Sequence, residues 1–214
     1  MRDTIVACEA AAHDGGLTSG LELALRAVDI DAPPGRVAAL PSGRLPAGAA
    51  VVPHRLAQAE GITFVTWPEH PAPAEHPAPE QRQPRQPRQQ PDRTTVFAAL
   101  LGAVRVGVSR RLLDDAVAHL SGRTGGGEPL IRKQLVLGTV ADVITALDAV
   151  RQLLLVAHHV PAAVADAHDR ITALDWDTAK LFGASGFLAD GPVRAAYVGR
   201  LAADCWTDRE DVQP

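Results

Sequence analysis

Several residues in this chain have types and spacings that chemistry could use. The Gly183-Ala184-Ser185-Gly186 run follows a helical pattern, and exposed backbone N–H groups in such a turn can cradle an anion, a phosphate above all. A glycine-terminated helix is the plainer reading of the same residues. His158, His159 and His168 with Asp166 offer metal-ligand types. Adjacent helical residues point about 100° apart, however, and no histidine pair stands four apart, so no metal is expected. Cys205 beside Trp206 would need a basic neighbour to become a nucleophile; none is evident, and it reads as a small core residue. Gly15, Gly16 and Gly20 lack the spacing of a dinucleotide fingerprint and read as a turn. No Gly-x-Ser-x-Gly elbow and no phosphate-loop signature occurs.

Composition narrows the setting of these residues. A chain of 214 residues with net charge −4 fits one or two domains with a real core. Its arginines are scattered and its aromatics few, so nucleic acid is excluded as a partner. No apolar run is long enough for a membrane span, and the N-terminus lacks a signal peptide's apolar core. Cys8 and Cys205 lie at opposite ends, which argues against a disulfide and for a cytoplasmic location.

The elements that position these residues fall into three stretches. Residues 1–67 form an N-terminal, β-rich segment: a strand over Thr4–Cys8, a break at Gly15-Gly16, a short helix near Leu21–Val28, then strands over Arg36–Leu40, Ala49–Pro53 and Ile62–Trp67. Residues 68–93 hold eight prolines between Pro68 and Pro91 and read as a disordered linker. Residues 94–214 form a helical bundle. Its first helix shows one face through Phe97, Leu101, Val104, Val108 and Leu112, and its second through Leu137, Val140, Ile144, Leu147 and Leu154. A glycine-rich turn over 121–127 joins them. Pro161 opens a third helix facing inward through Val164, His168, Ile171 and Leu174, and Gly183 ends it. Asp190 caps a fourth, with Pro192 in its first turn and Val193, Tyr197 and Leu201 inward. The fold class is therefore mainly α, a bundle preceded by a small β segment.

Gly107 stands sixteen residues before Arg123, with Gln134 and Ala141-Asp142 following, and Phe182-Gly183-Ala184-Ser185-Gly186-Phe187 precedes Pro192-Val193. As a set these resemble the C-terminal helical domain of acyl-CoA dehydrogenases, including its R-x-x-F-G pattern, its G-G-x-G-[YF] turn and the P-V opening of its last helix. Gly35-Arg36-Val37, the Gly48–Val52 run and the Gly61–Val65 run are similar to parts of that family's middle β-domain, here much reduced. The resemblance implies that Arg123, Gln134, Gly183 and Gly186 would be the cofactor-binding set, helping to hold the nucleotide half of FAD across a subunit interface. Gly126 stands where the family has its phenylalanine, Ala184 replaces a glycine and Lys180 a glutamine.

The same resemblance bears on catalysis. The family abstracts an α-proton with a carboxylate while flavin takes a hydride. Its two base positions fall on Thr207 and Phe97, neither of which accepts a proton, so the catalytic candidates become Asp208 and Glu210. The leading expectation is a repurposed, flavin-free enzyme for cyclisation, isomerisation or dehydration of a biosynthetic acyl or polyketide-type intermediate. Two alternatives stand beside it: a non-catalytic subunit pairing with a full-length dehydrogenase, and an FAD-dependent thioester dehydrogenase with a relocated base. No cofactor is expected in the first case; FAD follows if dehydrogenation or a shared flavin site is kept. A homodimer or homotetramer, or a hetero-oligomer with a related dehydrogenase, is the expected assembly.

Overall fold

A computed structural model describes residues 1–28, 37–66 and 92–207. The linker expected over 68–93 lies outside the described residues except for its last two positions, as do Arg36 and Trp67 at the ends of two expected strands. The centre of the fold is α3 (Arg93–Ser121). Its N-terminus is capped by Asp92, whose Oδ1 accepts from the Thr94 N–H at 3.3 Å. Every residue from Thr95 to Ser109 is buried, because other helices cover α3 on all sides. At 29 residues it is roughly 44 Å long.

The first helix, α1 (Arg2–Ala27), corrects the expected strand over Thr4–Cys8. The β-branched start favours a strand locally, but Ile5, Cys8 and Ala12 recur at helical spacing and are buried against α3. Tertiary packing outweighs propensity here. The expected break at Gly15-Gly16 is a kink within this one helix, at Gly16 (φ 81°, ψ 179°), a conformation that glycine tolerates and other residues do not. Beyond it Leu17, Leu21 and Ala24 continue the buried stripe. The two helices cross closely: a Cβ on Gly107 would lie 2.2 Å from the Glu9 carbonyl oxygen.

The three expected strands form β1 (Val37–Pro41), β2 (Ala50–Val52) and β3 (Ile62–Thr66). They make an antiparallel sheet in the order β1-β3-β2, with a short helix α2 (Arg55–Ala59) between β2 and β3. Trp206 locks this sheet to the bundle. Its indole N–H donates to the Ala39 carbonyl at 3.0 Å, and its ring meets Phe97 edge-on at 4.8 Å. Residues of α1, the sheet, α3 and α6 thus share one apolar core.

A two-stranded hairpin, β4 (Thr124–Gly125) and β5 (Glu128–Pro129), follows α3. Both turn residues have positive φ, Gly126 at 65° and Gly127 at 86°, the mirror-image turn that suits a right-twisted hairpin. Helix α4 (Gln134–Ala157) then pairs with α5 (Pro161–Leu181). The buried face of α4 is Val143, Leu147, Val150 and Leu154. Leu137 and Ile144, expected inside, are 51% and 45% exposed; α4 is apolar on several sides, so its inner stripe had no unique phase. In α5, Val164, His168 and Ile171 are buried as expected, and Gly183 ends it with φ 59°. The last helix, α6 (Arg194–Trp206), departs from expectation at its start. Asp190 pairs with Arg194 at 3.6 Å and caps nothing, while Tyr197 is 45% exposed. The inner face is instead Ala196, Val198, Gly199, Ala202 and Ala203, with Trp206 at its end.

Candidate functional site

Three places in this fold gather polar chemistry. The first is one end of the bundle, where the sequence-derived cofactor set lies. Arg123 is exposed just past α3, its Nη1 3.2 Å from His119 Nε2. The His119 ring packs on Phe182 at 5.3 Å, the residue before Gly183, so Arg123 and the Gly183 turn share a neighbourhood. Gly183 is exposed. Gly186 is buried, and a Cβ there would come within 2.6 Å of the Ala179 carbonyl oxygen, so its lack of a side chain serves packing. Gln134 is exposed at the first turn of α4.

Apolar groups surround this end. A three-residue connection makes α4 and α5 antiparallel, and Leu174 and Leu181 pack beside Val140, Val143 and Leu147. The start of α4 is therefore level with the end of α5. Leu135 there is 87% exposed, Trp176 60% and Leu188 65%, and Trp176 meets the half-exposed Phe187 edge-on at 5.4 Å.

The second place is buried between α3 and α5 and was missed from sequence. Arg105, 2% exposed, donates to the His168 carbonyl and to His168 Nδ1, both at 3.1 Å, and to Thr172 Oγ1 at 2.8 Å. His168 Nε2 lies 3.0 Å from the Ala98 carbonyl oxygen, so Nε2 carries the proton and Nδ1 accepts. The Asp175 carboxylate accepts from Ser109 Oγ at 2.5 Å and stands 3.6 Å from Arg105 Nη2. Burial pushes Asp175 up to about 6, against the opposing pull of Arg105 and Ser109. Burial likewise draws the Arg105 guanidinium below its ordinary range, with Asp175 opposing. One signal could have found this cluster: a lone arginine inside the apolar run of α3.

The third place is a cleft of about 420 Å³ between the kink of α1, the second half of α3 and the start of α6. Arg111, Asp115, Val108 and Leu112 line it from α3, and Glu60, Asp190 and Arg194 from the far side. None of Arg123, Gln134, Gly183 or Gly186 lines it. At its edge His13 bonds Asp114 and Asp14 at 2.9 and 2.7 Å, and those two carboxylates raise the imidazole above its usual value.

The catalytic candidates Asp208 and Glu210 lie outside the described residues. Phe97 is fully buried in the core. Thr207 closes α6, its hydroxyl donating to the Ala203 carbonyl at 2.9 Å. Burial pushes the thiols of Cys8 and Cys205 up to about 11, away from nucleophilic use. Among the described residues no group of three His, Cys, Asp or Glu is placed to hold a metal ion, and no helix is long and apolar enough to cross a membrane.

No curated protein matches the chain by sequence. Solved structures resemble its fold. FkbI, described as acting in biosynthesis of the methoxymalonyl extender unit of a polyketide immunosuppressant, superposes with a TM-score of 0.51 at 21% identity over 74% of this chain and 46% of its own. Butyryl-CoA dehydrogenase from Megasphaera elsdenii gives 0.50 at 20% over 56% and 34%. An FAD-dependent dehydrogenase gives 0.50 at 18% over 77% and 47%. This chain thus spans less than half the length of each, and at such identities the likeness establishes the fold alone. The sequence itself matches the family described as acyl-CoA dehydrogenase, C-terminal domain, over residues 92–209. With more than half its length inside that match and the helical bundle that goes with it, the chain belongs to the acyl-CoA dehydrogenase C-terminal domain family.

Proposed function

We propose that this chain is an assembling subunit that pairs with a full-length acyl-CoA dehydrogenase and does not run dehydrogenation by itself. The observation that carries the reading is the apolar surface at the start of α4 and the end of α5, with Leu135 87% exposed and Trp176 60% exposed. Exposed apolar surface of this kind marks an interaction site, and a helix that is apolar on several sides belongs in an interior. Arg123, Gln134 and Gly183 lie at this same end, so a partner seated there would find them at its border.

Tested against FAD, the residues do not fit a chain that holds the cofactor alone. Arg123, Gln134 and Gly183 are exposed and stand outside the cleft between α1, α3 and α6; Gly186 serves packing. They suit at most one wall of a nucleotide site whose other wall comes from elsewhere. The family's base positions, Phe97 and Thr207, hold no proton-accepting group.

Co-expression with each full-length acyl-CoA dehydrogenase of the source genome, followed by native mass spectrometry and visible spectroscopy, tests the reading. A yellow hetero-complex is expected with one of them, and the double variant Leu135→Ser with Trp176→Ser dissolves it while the chain's own melting temperature stays put. Flavin binding and acyl thioester oxidation by the chain alone would overturn the proposal, as would a monomer with every candidate. Non-redox chemistry on an acyl or polyketide-type intermediate is the second reading. The cleft of about 420 Å³ supports it, and it requires turnover by the colourless chain without a partner.

A further inference from the structure

We propose that the cleft between α1, α3 and the start of α6 binds a small zwitterion, an α-amino acid with an apolar side chain. Its volume, about 420 Å³, lies in the ordinary range of small-molecule sites. Its two walls differ in which charges are already matched. On the far wall Arg194 binds Glu60 at 2.6 Å and reaches Asp190 at 3.6 Å, so the cation there is matched and that wall holds one carboxylate in excess.

On the near wall matters differ. Gly16 breaks α1 and leaves the last carbonyls of its first half without helical partners. Arg111 Nη1 answers two of them, His13 at 3.4 Å and Asp14 at 3.3 Å. These long bonds hold the guanidinium over the cleft and use one of its nitrogens. Among the described residues no carboxylate pairs with Arg111, and no cation pairs with Asp115, one turn further along α3. Two opposite charges on neighbouring turns normally close on each other; here the kink carbonyls keep Arg111 away.

The near wall therefore presents one open cation and one open anion, on backbone positions four residues or roughly 6 Å apart along the helix. That separation accommodates a carboxylate and an ammonium on a single carbon, each making one charge-assisted bond of about 2.8 Å. Val108 and Leu112 lie between and beside them on the same helix face, which gives an apolar side chain a floor. A simple carboxylate would leave Asp115 unmatched, and a simple amine would leave Arg111 so.

L-Leucine is the probe, titrated calorimetrically into the purified chain beside isocaproate and isoamylamine, which lack its amine and its carboxylate. Saturable binding of leucine is expected, with each analogue weaker by about tenfold or more, since each forfeits one charge-assisted bond. Arg111→Gln and Asp115→Asn should each weaken leucine by a similar factor. Asp115→Asn touches no bond within the fold, so its result stands even if Arg111→Gln disturbs the kink. Absence of leucine binding, binding unchanged by both variants, or isocaproate as tight as leucine would each overturn the assignment. The site lies apart from Leu135 and Trp176, so the assembly variants leave leucine binding unchanged whatever becomes of the proposed partner.

Discussion

The buried carboxylate of Asp175 makes the stability of this protein fall as pH rises. Its carboxyl titrates at about 6 in the fold, against an ordinary 3.8, because burial penalises the charged form more than Arg105 and Ser109 reward it. A group whose folded value is raised contributes stability in full below its unfolded value and loses it as pH rises through the folded one. The difference of about 2.2 units corresponds to about 3 kcal/mol in all, of which about 1.3 kcal/mol falls between pH 5 and pH 7. The Asp175 side chain is 11% exposed, so these figures are upper bounds. Asp175→Asn removes the titration and leaves Arg105 without its nearest carboxylate, a cost of up to about 3–5 kcal/mol. Urea denaturation followed by circular dichroism, on wild type and variant at pH 5, 6 and 7, isolates the effect. The wild type's advantage over Asp175→Asn should shrink by roughly 1 kcal/mol across that window. An advantage that is constant, or that grows with pH, would show that Arg105 dominates the pair and that burial is not the main force on Asp175.

Two further substitutions probe the helix contacts. Gly107→Ala forces a Cβ to within 2.2 Å of the Glu9 carbonyl oxygen, where only a backbone shift gives relief. It should cost about 1–3 kcal/mol, seen as a lower melting temperature, while Gly102→Ala, whose tightest neighbours are the Leu154 methyls at 3.2 Å, costs less. Glu9 joins α1 to its neighbours through Arg110 at 3.0 Å and Arg151 at 2.7 Å. Glu9→Gln should lower the urea midpoint by an amount worth about 1–2 kcal/mol, reduced by the partial exposure of both arginines, with the denaturation slope unchanged.

Much of the fold was legible because period and punctuation agreed. Pro161 and Gly183 bound helix α5, and the three short β-branched runs became the three strands. The first helix was not legible, because Thr4, Ile5 and Val6 favour a strand locally and the Gly15-Gly16 pair looks like a stop. Only the long contact with α3 makes that stretch helical, and sequence does not display a contact some 90 residues away. Of the residues expected to hold a cofactor, Arg123 and the Gly183 turn share His119 as a neighbour. The Arg105 cluster was not found, because His168 and Asp175 come to it from a different helix.

The misreading of α4 carries information of its own. Choosing Leu137 and Ile144 as inner residues followed a sound rule, that large apolar side chains at helical spacing face a core. They failed because the buried stripe is turned toward Val143 and Val150, beside the expected Leu147 and Leu154, and leaves Leu137 and Ile144 on its flank. A surface helix selected for water on its outer side would carry charges there. On α4, Leu135, Leu137, Ile144 and Val156 are instead 87, 51, 45 and 64% exposed, on the flanks of the buried stripe and at the two ends of the helix. A helix with this much exposed apolar surface is short of a partner. The ambiguity that defeated the sequence reading is thus the same surplus of apolar surface on which the proposed assembly rests, and both would vanish together if Leu135 and Trp176 proved replaceable without consequence.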